Sequence, residues 1–500
     1  MTTSKKLIGI DIGTSGLKVS AFDEAGTLLA QAYRPTEYLP LQAGHMEQSP
    51  EQWRDAMFSA LQEILAGPSV APDAVAGIGL CGFHHCPAFL QEDGRSSRPA
   101  ILMHDPRLPA SRDDLAAAGI LDAVEQRTQS MVSAGHFPPI FHYVLQHDAN
   151  AIARTRWILL AKDYLRFALT GEVATEICDA TGTNLIEPGS ADWSEELCRI
   201  LSVPISALPA IKSPTEVAGE VTRAAAKATG LVAGTPVVYG GGDSHCALLG
   251  MGCVENGDTG LLLGTNSTLR TVFDAFVAHP EIKLWVQHHV VPEHYTVSAS
   301  SMAGASVMNW FRQNLYVSDS QPPTFEEVEA DAARIPVGSG GLVFLPYLYG
   351  ERCPFYDPQA SAAFAGIKHW HRPGHFARSV IEGVALNIAN CFALIQDCAG
   401  VHNARIDRLR FAGGGSRSSL WHQVISDCLG RPIQVMNTTE AGTLGAALLA
   451  GVGIGVYTDC RAAAAAAVTE GHTIEPIEEH HAVYAELREN TNELYRRIHQ

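Results

Sequence analysis

Short apolar runs alternate with glycine-centred turns over the first forty residues: LIGIDIG, Thr14-Ser15-Gly16, LKVSAFD, Glu24-Ala25-Gly26 and TLLAQAYR. Runs of this length, broken by tight-turn residues, predict an antiparallel three-strand meander. The spacing changes after Ser49-Pro50. Trp53, Met57, Leu61, Ile64 and Leu65 recur at helical intervals, which predicts a helix over 51–66 with Ser49 as its N-cap. A strand, VAGIGLCGF, follows. Farther on, Thr235 to Asp243 and Leu409 to Ser416 each read as a strand running into glycines, the second leading into a helix from Ser418 through Cys428. The alanine run after Arg461 starts a helix. The charged segment from Glu475 to Gln500, with spaced Tyr484, Leu487 and Leu494, reads as a surface helix.

A meander followed by a helix and a further strand is the opening of the ribonuclease-H-like unit that actin and hexokinase use. The chain also repeats itself. Sliding it by 251 residues lays Gly13 on Gly264, Thr14 on Thr265, Phe22 on Phe273 and Asp23 on Asp274. An offset of half the chain favours duplication over chance. At 500 residues the chain is also too long for one hydrophobic core. The expected fold is therefore α/β, two ribonuclease-H-like (actin/hexokinase-type) domains with a central nucleotide cleft. The boundary is expected near Gly250 to Gly257, giving an N-terminal domain over 1–252 and a C-terminal domain over 253–500.

The formal net charge of -18 gives a field that repels nucleic acid and anionic membrane. No stretch reads as the roughly 20 uncharged apolar residues that a membrane helix needs. Asp11 interrupts the first apolar run too early for a signal peptide. The 11 cysteines include no C-x-x-C pair and read as reduced thiols in a cytoplasmic protein. A homodimer is the commonest assembly for such a chain.

Asp11 ends a β-run and is followed at once by Gly13-Thr14-Ser15-Gly16. Backbone amides in such a turn can converge on phosphate oxygens, and the carboxylate can hold Mg²⁺ directly or through water. A β-turn whose aspartate satisfies its own amides carries the same signature. In the second copy Leu262 stands where Asp11 does, so one turn can hold metal and phosphate while the other holds phosphate alone. Asp243 follows three glycines and can take a proton from an attacking hydroxyl beside bound phosphate and Mg²⁺. Its alternative is a turn aspartate after a buried strand. The Ala412-Gly413-Gly414-Gly415-Ser416 turn can receive adenine or ribose, or simply pack tightly; the small-residue helix after Glu440 reads as plain helix packing. His84 and His85, with Asp105 and Arg107 in the next polar loop, are groups that can read sugar hydroxyls. Zinc on His84, His85 and His104 is disfavoured, because adjacent histidines in a strand point apart.

These motifs together resemble the FGGY carbohydrate kinases over nearly the whole chain. The run Ala362 to Ile367, then seven residues, then His375-Phe376-Ala-Arg-Ser379-Val-Ile-Glu382 fits that family's second signature. IGIDIGTSGLK, LLAKDYLRFALTGE, DATGT from Asp179, GGGDSH, LGTNS, LPYLYGER and AGGGSRSSLW are similar to family segments as well. The resemblance implies ATP and Mg²⁺ as cofactors, with Asp11 and Asp243 at the metal and Asp243 as catalytic base. It implies nucleotide contacts at Gly13, Thr14, Ser15, Lys18, Gly264, Thr265, Gly414 and Gly415, and sugar contacts at His84, His85, Asp105 and Asp243. The family's usual Gly-Gln-Met-His-Gly is here Gly82-Phe-His-His-Cys86, and its lysine and tryptophan are Ile140 and Tyr143. The layout Gly135-His136 before Tyr143 and Gln146-His147 leans toward kinases of xylulose-type ketoses. Gluconate, tetritol or other polyol kinases, a non-catalytic sugar sensor and a Mg-dependent phosphohydrolase are the alternatives.

Overall fold

The computed structural model describes residues 5–40, 44–282, 284–316, 322–413 and 418–499. The predicted meander is present as β1 (Lys6–Gly13), β2 (Gly16–Phe22) and β3 (Leu28–Pro35), paired antiparallel. Helix α1 (Pro50–Ala66) buries Trp53, Met57, Leu61, Ile64 and Leu65. Ser49 stands at its N-cap position without capping it; the hydroxyl bonds Glu51 Oε2 at 2.7 Å. Strand β4 (Val75–Gly82) runs parallel to β1, and β5 (Val217–Glu220) and β6 (Pro236–Val238) complete the sheet in the order β5-β6-β4-β1-β2-β3.

A second sheet repeats this plan. It contains β7 (Asp258–Leu263), β8 (Ser267–Phe273), β9 (Trp285–His288), β10 (Tyr295–Ser301), β11 (Arg408–Ala412), β12 (Ile433–Met436) and β13 (Glu470–Ile474). Read from its far edge the order is β13-β12-β11-β7-β8-β10, with β9 added outside β10. Strand β11 runs parallel to β7 as β4 does to β1. The twofold plan inferred from the 251-residue shift is thus a feature of the backbone. Each sheet has its own apolar core, the first built on Ile8, Ile10, Trp53 and Leu80, the second on Leu261, Leu269, Val384 and Phe411.

Helix α2 (Ala161–Thr170) and helix α3 (Ile177–Gly182) cover the first sheet's site end, and α4 (Asp243–Gly250) leads to the second sheet. Helix α5 (Pro373–Val401) is long and apolar enough to cross a membrane by length and composition, but Arg378, Glu382 and Asp397 interrupt it, so no run of about 20 uncharged residues is present in it. Its apolar residues lie mostly inside the second core. Glu382 ties it down, accepting from Gly338 N, Ser339 Oγ, Arg378 Nε and Tyr484 Oη. Tyr484 belongs to α8 (Glu478–His499), so that charged segment is only partly a surface helix.

Helix α6 (Ser419–Leu429) packs on α5. Helix α7 (Ala441–Gly453), from the C-terminal half, lies against β1, β4 and α4. The approach is so close that a Cβ on Gly9 would stand 1.8 Å from Thr443 O, and one on Gly79 would stand 1.9 Å from Ala446 O. The small-residue face of α7 is therefore the seam between the two sheets, and only glycine in β1 and β4 permits it.

Candidate functional site

The strand register gathers the acids. Asp11 stands beside Lys18 on β2 and Cys81 on β4, and Cys81 stands beside Gly241. One row farther along, Ile12, Gly82 and Gly242 are neighbours, and Asp243 follows as the first residue of α4. Asp11 and Asp243 thus leave strand ends on either side of β4. Burial, and next the charge of Asp243, push the Asp11 carboxyl up to about 7. Its Oδ1 is buried with no hydrogen-bond partner. Asp243 is raised too, first by desolvation at its place in the cleft although its side chain is only half-buried, with His84 opposing the rise. Two mutually repelling carboxylates, one with an orphaned oxygen, suit a hard divalent cation that keeps several waters.

The first turn is tied back by its carbonyls. Thr14 O accepts from Gln48 Nε2 at 2.9 Å, and Ser15 O accepts from Thr36 N and Tyr33 Oη. In a trans peptide the N–H points opposite to the carbonyl, so the Ser15 amide faces away from the Gln48 contact. Lys18 Nζ is 2.7 Å from Glu440 Oε2, at the N-terminus of α7. In the second turn Gly264 O and Thr265 O accept from Ala305 N and Ser306 N, and Gly264 N donates to Asn266 O. A Cβ on Gly264 would meet nothing, so that turn borders open space. Gly414 and Gly415 lie outside the described residues.

His84 and His85 do not sit in a strand. They form a bend after β4, and His85 has a positive φ of 72°. Their rings therefore do not diverge as adjacent strand residues would; the centroids are 5.5 Å apart. His85 Nδ1 donates to Gly182 O at 2.8 Å, and burial, then His84, push its pKa down to about 3. The ring is neutral, with Nε2 left as an acceptor. It stacks on His136 at 4.1 Å, which in turn meets Trp285 at 4.8 Å, with the Arg352 guanidinium 5.7 Å from the Trp285 ring. Histidines from one half and Trp285 and Arg352 from the other thus share one wall. Among the described residues no group of three His, Cys, Asp or Glu could hold a metal ion.

Asp105 is buried and already engaged. It accepts from Arg107 Nε and Nη2 and from the amides of Met46 and Arg107. Arg107 also reaches Glu47 Oε1 at 2.7 Å and lies over the Tyr143 ring. Among the described residues no contact joins Asp105 to His84, His85 or Asp243.

Behind the acids runs a buried line of charge. Lys162 Nζ lies 2.7 Å from Asp163, 3.4 Å from Glu176 and 3.1 Å from Asp179. Burial alone would raise Asp179, but Lys162 and His84 hold it down to about 2. Asp179 Oδ1 is 2.6 Å from His84 Nδ1. From the other half, Arg270 Nη1 reaches His245 Nε2 at 2.6 Å and Gln287 Oε1 at 2.8 Å. Burial lowers Arg270 to about 10. Reading of the sequence did not place Lys162, His245, Arg270, Trp285 or Arg352 in the site. The available signals were LLAKDYLRFALTGE, the histidine after Asp243 and LPYLYGER.

The chain matches the N-terminal domain of the FGGY family of carbohydrate kinases over residues 6–250 and the C-terminal domain of that family over residues 256–454. It is 32% identical over 447 residues to the xylulose kinase of Escherichia coli K12, covering 89% of each chain. It is 28% identical over 495 residues to a xylulose kinase of Staphylococcus epidermidis, covering 99% of this chain and 97% of that one. Among solved structures, the xylulose kinase from Rhodospirillum rubrum superposes with a TM-score of 0.88 at 28% identity, covering 99% of both chains.

Proposed function

The chain belongs to the FGGY family of carbohydrate kinases, and we propose that it transfers the γ-phosphate of ATP to a hydroxyl of an open-chain pentulose such as xylulose. The observation that carries this reading is the convergence of Asp11 and Asp243 from strand ends on either side of β4, in a chain whose two sheets share one plan. Asp243 accepts the proton of the attacking hydroxyl, and its position at the head of α4 sets the carboxylate toward the cleft between the sheets. Asp11 and Asp243 would hold Mg²⁺, which when bound would supply positive charge to the transferred phosphate. Gly13, Thr14, Ser15 and Lys18 contact the phosphates from one half, and Gly264 and Thr265 contact them from the other. Lys18 would exchange Glu440 for phosphate. Gly414 and Gly415 border the adenosine. His84 and His85 face the sugar together with the His136 and Trp285 wall, and Asp105 supports that side from its Arg107 clasp.

The halves 1–252 and 253–500 act as two domains that close on substrate, α7 crossing between them. Closure excludes water and limits ATP hydrolysis without acceptor. Light scattering tests whether the cytoplasmic enzyme is the homodimer expected of it.

The deciding experiment measures ADP formation across pentuloses, aldonates and polyols. Xylulose gives the largest kcat/KM, and Asp243→Asn lowers it by roughly 10²–10⁴-fold. A wild-type rate in the Asn variant removes Asp243 as base. ADP release that needs no acceptor returns the phosphohydrolase reading.

A further inference from the structure

We propose that His84, anchored on Asp179, is a positioning residue that holds one carboxylate oxygen of Asp243 and leaves the other for the sugar hydroxyl. The proposal rests on the reading of Asp243 as the base. Its support is a line of contacts. Lys162 meets Asp179 Oδ2 at 3.1 Å, Asp179 Oδ1 meets His84 Nδ1 at 2.6 Å, and His84 Nε2 stands 3.6 Å from Asp243 Oδ1. The Asp179 contact at Nδ1 sets the ring so that Nε2 faces Asp243.

The ring has little freedom. It is 6% exposed and packs edge-on against His245 at 5.1 Å. Its Nε2 is also 3.3 Å from His245 Nδ1 and 3.4 Å from Ser244 Oγ. A Cβ on residue 242 would stand 1.7 Å from His84 Cε1, so only glycine lets the imidazole lie against the backbone that carries Asp243. That packing couples the ring directly to the carboxylate's own main chain.

The two oxygens of Asp243 are unequal. Oδ1 accepts the Ser244 amide and faces His84. No hydrogen bond to Oδ2 is made among the described residues, and the side chain keeps 40% of its surface open. A carboxylate pinned through one oxygen presents the other in a fixed direction, which is what proton abstraction in a crowded cleft requires. Burying an imidazole and an ionised aspartate together is costly, and that cost is offset here only by the Lys162 charge and the contacts just described.

The test compares four variants by steady-state kinetics on xylulose and ATP, with thermal unfolding of each. His84→Met removes the ring nitrogens, and kcat falls roughly 10- to 100-fold. The KM for ATP stays within about twofold of wild type, because the nucleotide contacts are untouched. His84→Gln restores an N–H near the Nε2 position and brings kcat back to within about threefold. His84→Asn keeps only the Asp179 contact and shows the loss seen with Met, which carries the test if the Met variant folds poorly. Wild-type kcat in His84→Met overturns the proposal. So does an equal loss in the Gln and Met variants with matching falls in melting temperature, the mark of packing alone. Asp243→Asn run in parallel separates the two levels. If it transfers phosphate at full speed, the reading of Asp243 itself fails; if it is inactive while His84→Met is not, only the positioning role fails.

Discussion

The hairpin Lys6–Phe22 and the hairpin Asp258–Phe273 occupy the same place in two sheets of one strand order, yet they carry different chemistry. In the first, Asp11 lies opposite Lys18, and Gly13 pairs with Gly16 across a two-residue turn. In the second, Leu262 lies opposite Thr268, and Leu263 pairs with Ser267 across three residues. Duplication preserved what a sheet requires, apolar alternation and turns, and left the charges free to diverge. In the first hairpin burial and the charge of Asp243 raise Asp11 to about 7.

The sharpest way to break this contrast is to exchange the chemistry at matched positions. Asp11→Asn lowers kcat by roughly 10³-fold, about 4 kcal/mol of transition-state stabilisation. Leu262→Asn at the equivalent site leaves kcat within about threefold while lowering the melting temperature. Equal kinetic losses at both sites would end the claim of asymmetry.

Next come the paired glycines of the central strands. A Cβ on Gly9 meets the Thr443 carbonyl, whereas one on Gly260 meets the ends of Leu248 and Met251 at 2.4 Å and 2.6 Å. Backbone cannot yield and side chains can. Gly9→Ala therefore costs about 3 kcal/mol in chemical denaturation and Gly260→Ala about 1 kcal/mol or less. A reversed order would show that α7 is not the seam.

Buried carboxylates differ between the halves as well. Lys162 keeps Asp179 at about 2, while Glu351, in the C-terminal half, is raised by burial to about 7. A raised acid contributes stability that is complete below its unfolded value of 4.5 and is lost as pH rises through its folded value. Stability from Glu351 thus declines between about pH 4.5 and 7, on the order of 3 kcal/mol, and Glu351→Gln flattens that part of a melting-temperature profile. Asp179 has the opposite sign, its contribution being present at neutral pH and lost as pH falls through about 2. The smallest effect belongs to the Lys18–Glu440 pair, which is partly exposed at 33% and 16%. Glu440→Gln costs under about 1 kcal/mol, and a double-mutant cycle with Lys18→Met measures the coupling.

Several features were legible because they depend on neighbours in sequence. The meander, α1 and the glycine-rich approach to Asp243 follow from alternation, helical spacing and turn residues. The signature ending in Glu382 was legible too, but its physical content is structural, since that carboxylate serves four donors that hold α5, the turn at Ser339 and α8 together. Asp105 reads as a polar loop acid, and its environment is dominated by Arg107, two residues away and bonded to both oxygens. The wall of His85, His136, Trp285 and Arg352 was not legible as a unit. Its members lie on separate elements of both halves, and no local pattern links them.

By itself the sequence determined that two similar α/β units, each opening on a hairpin turn, would fold from one chain, because periodicity and glycine placement act over a few residues. The tertiary structure alone decided which charges meet. Asp179 beside His84, Arg270 beside His245 and Lys18 beside Glu440 are pairs far apart along the chain. Their protonation and direction come from burial and facing partners, which exist only once the chain has folded, and for the Arg270 and Lys18 pairs only once the two halves have met.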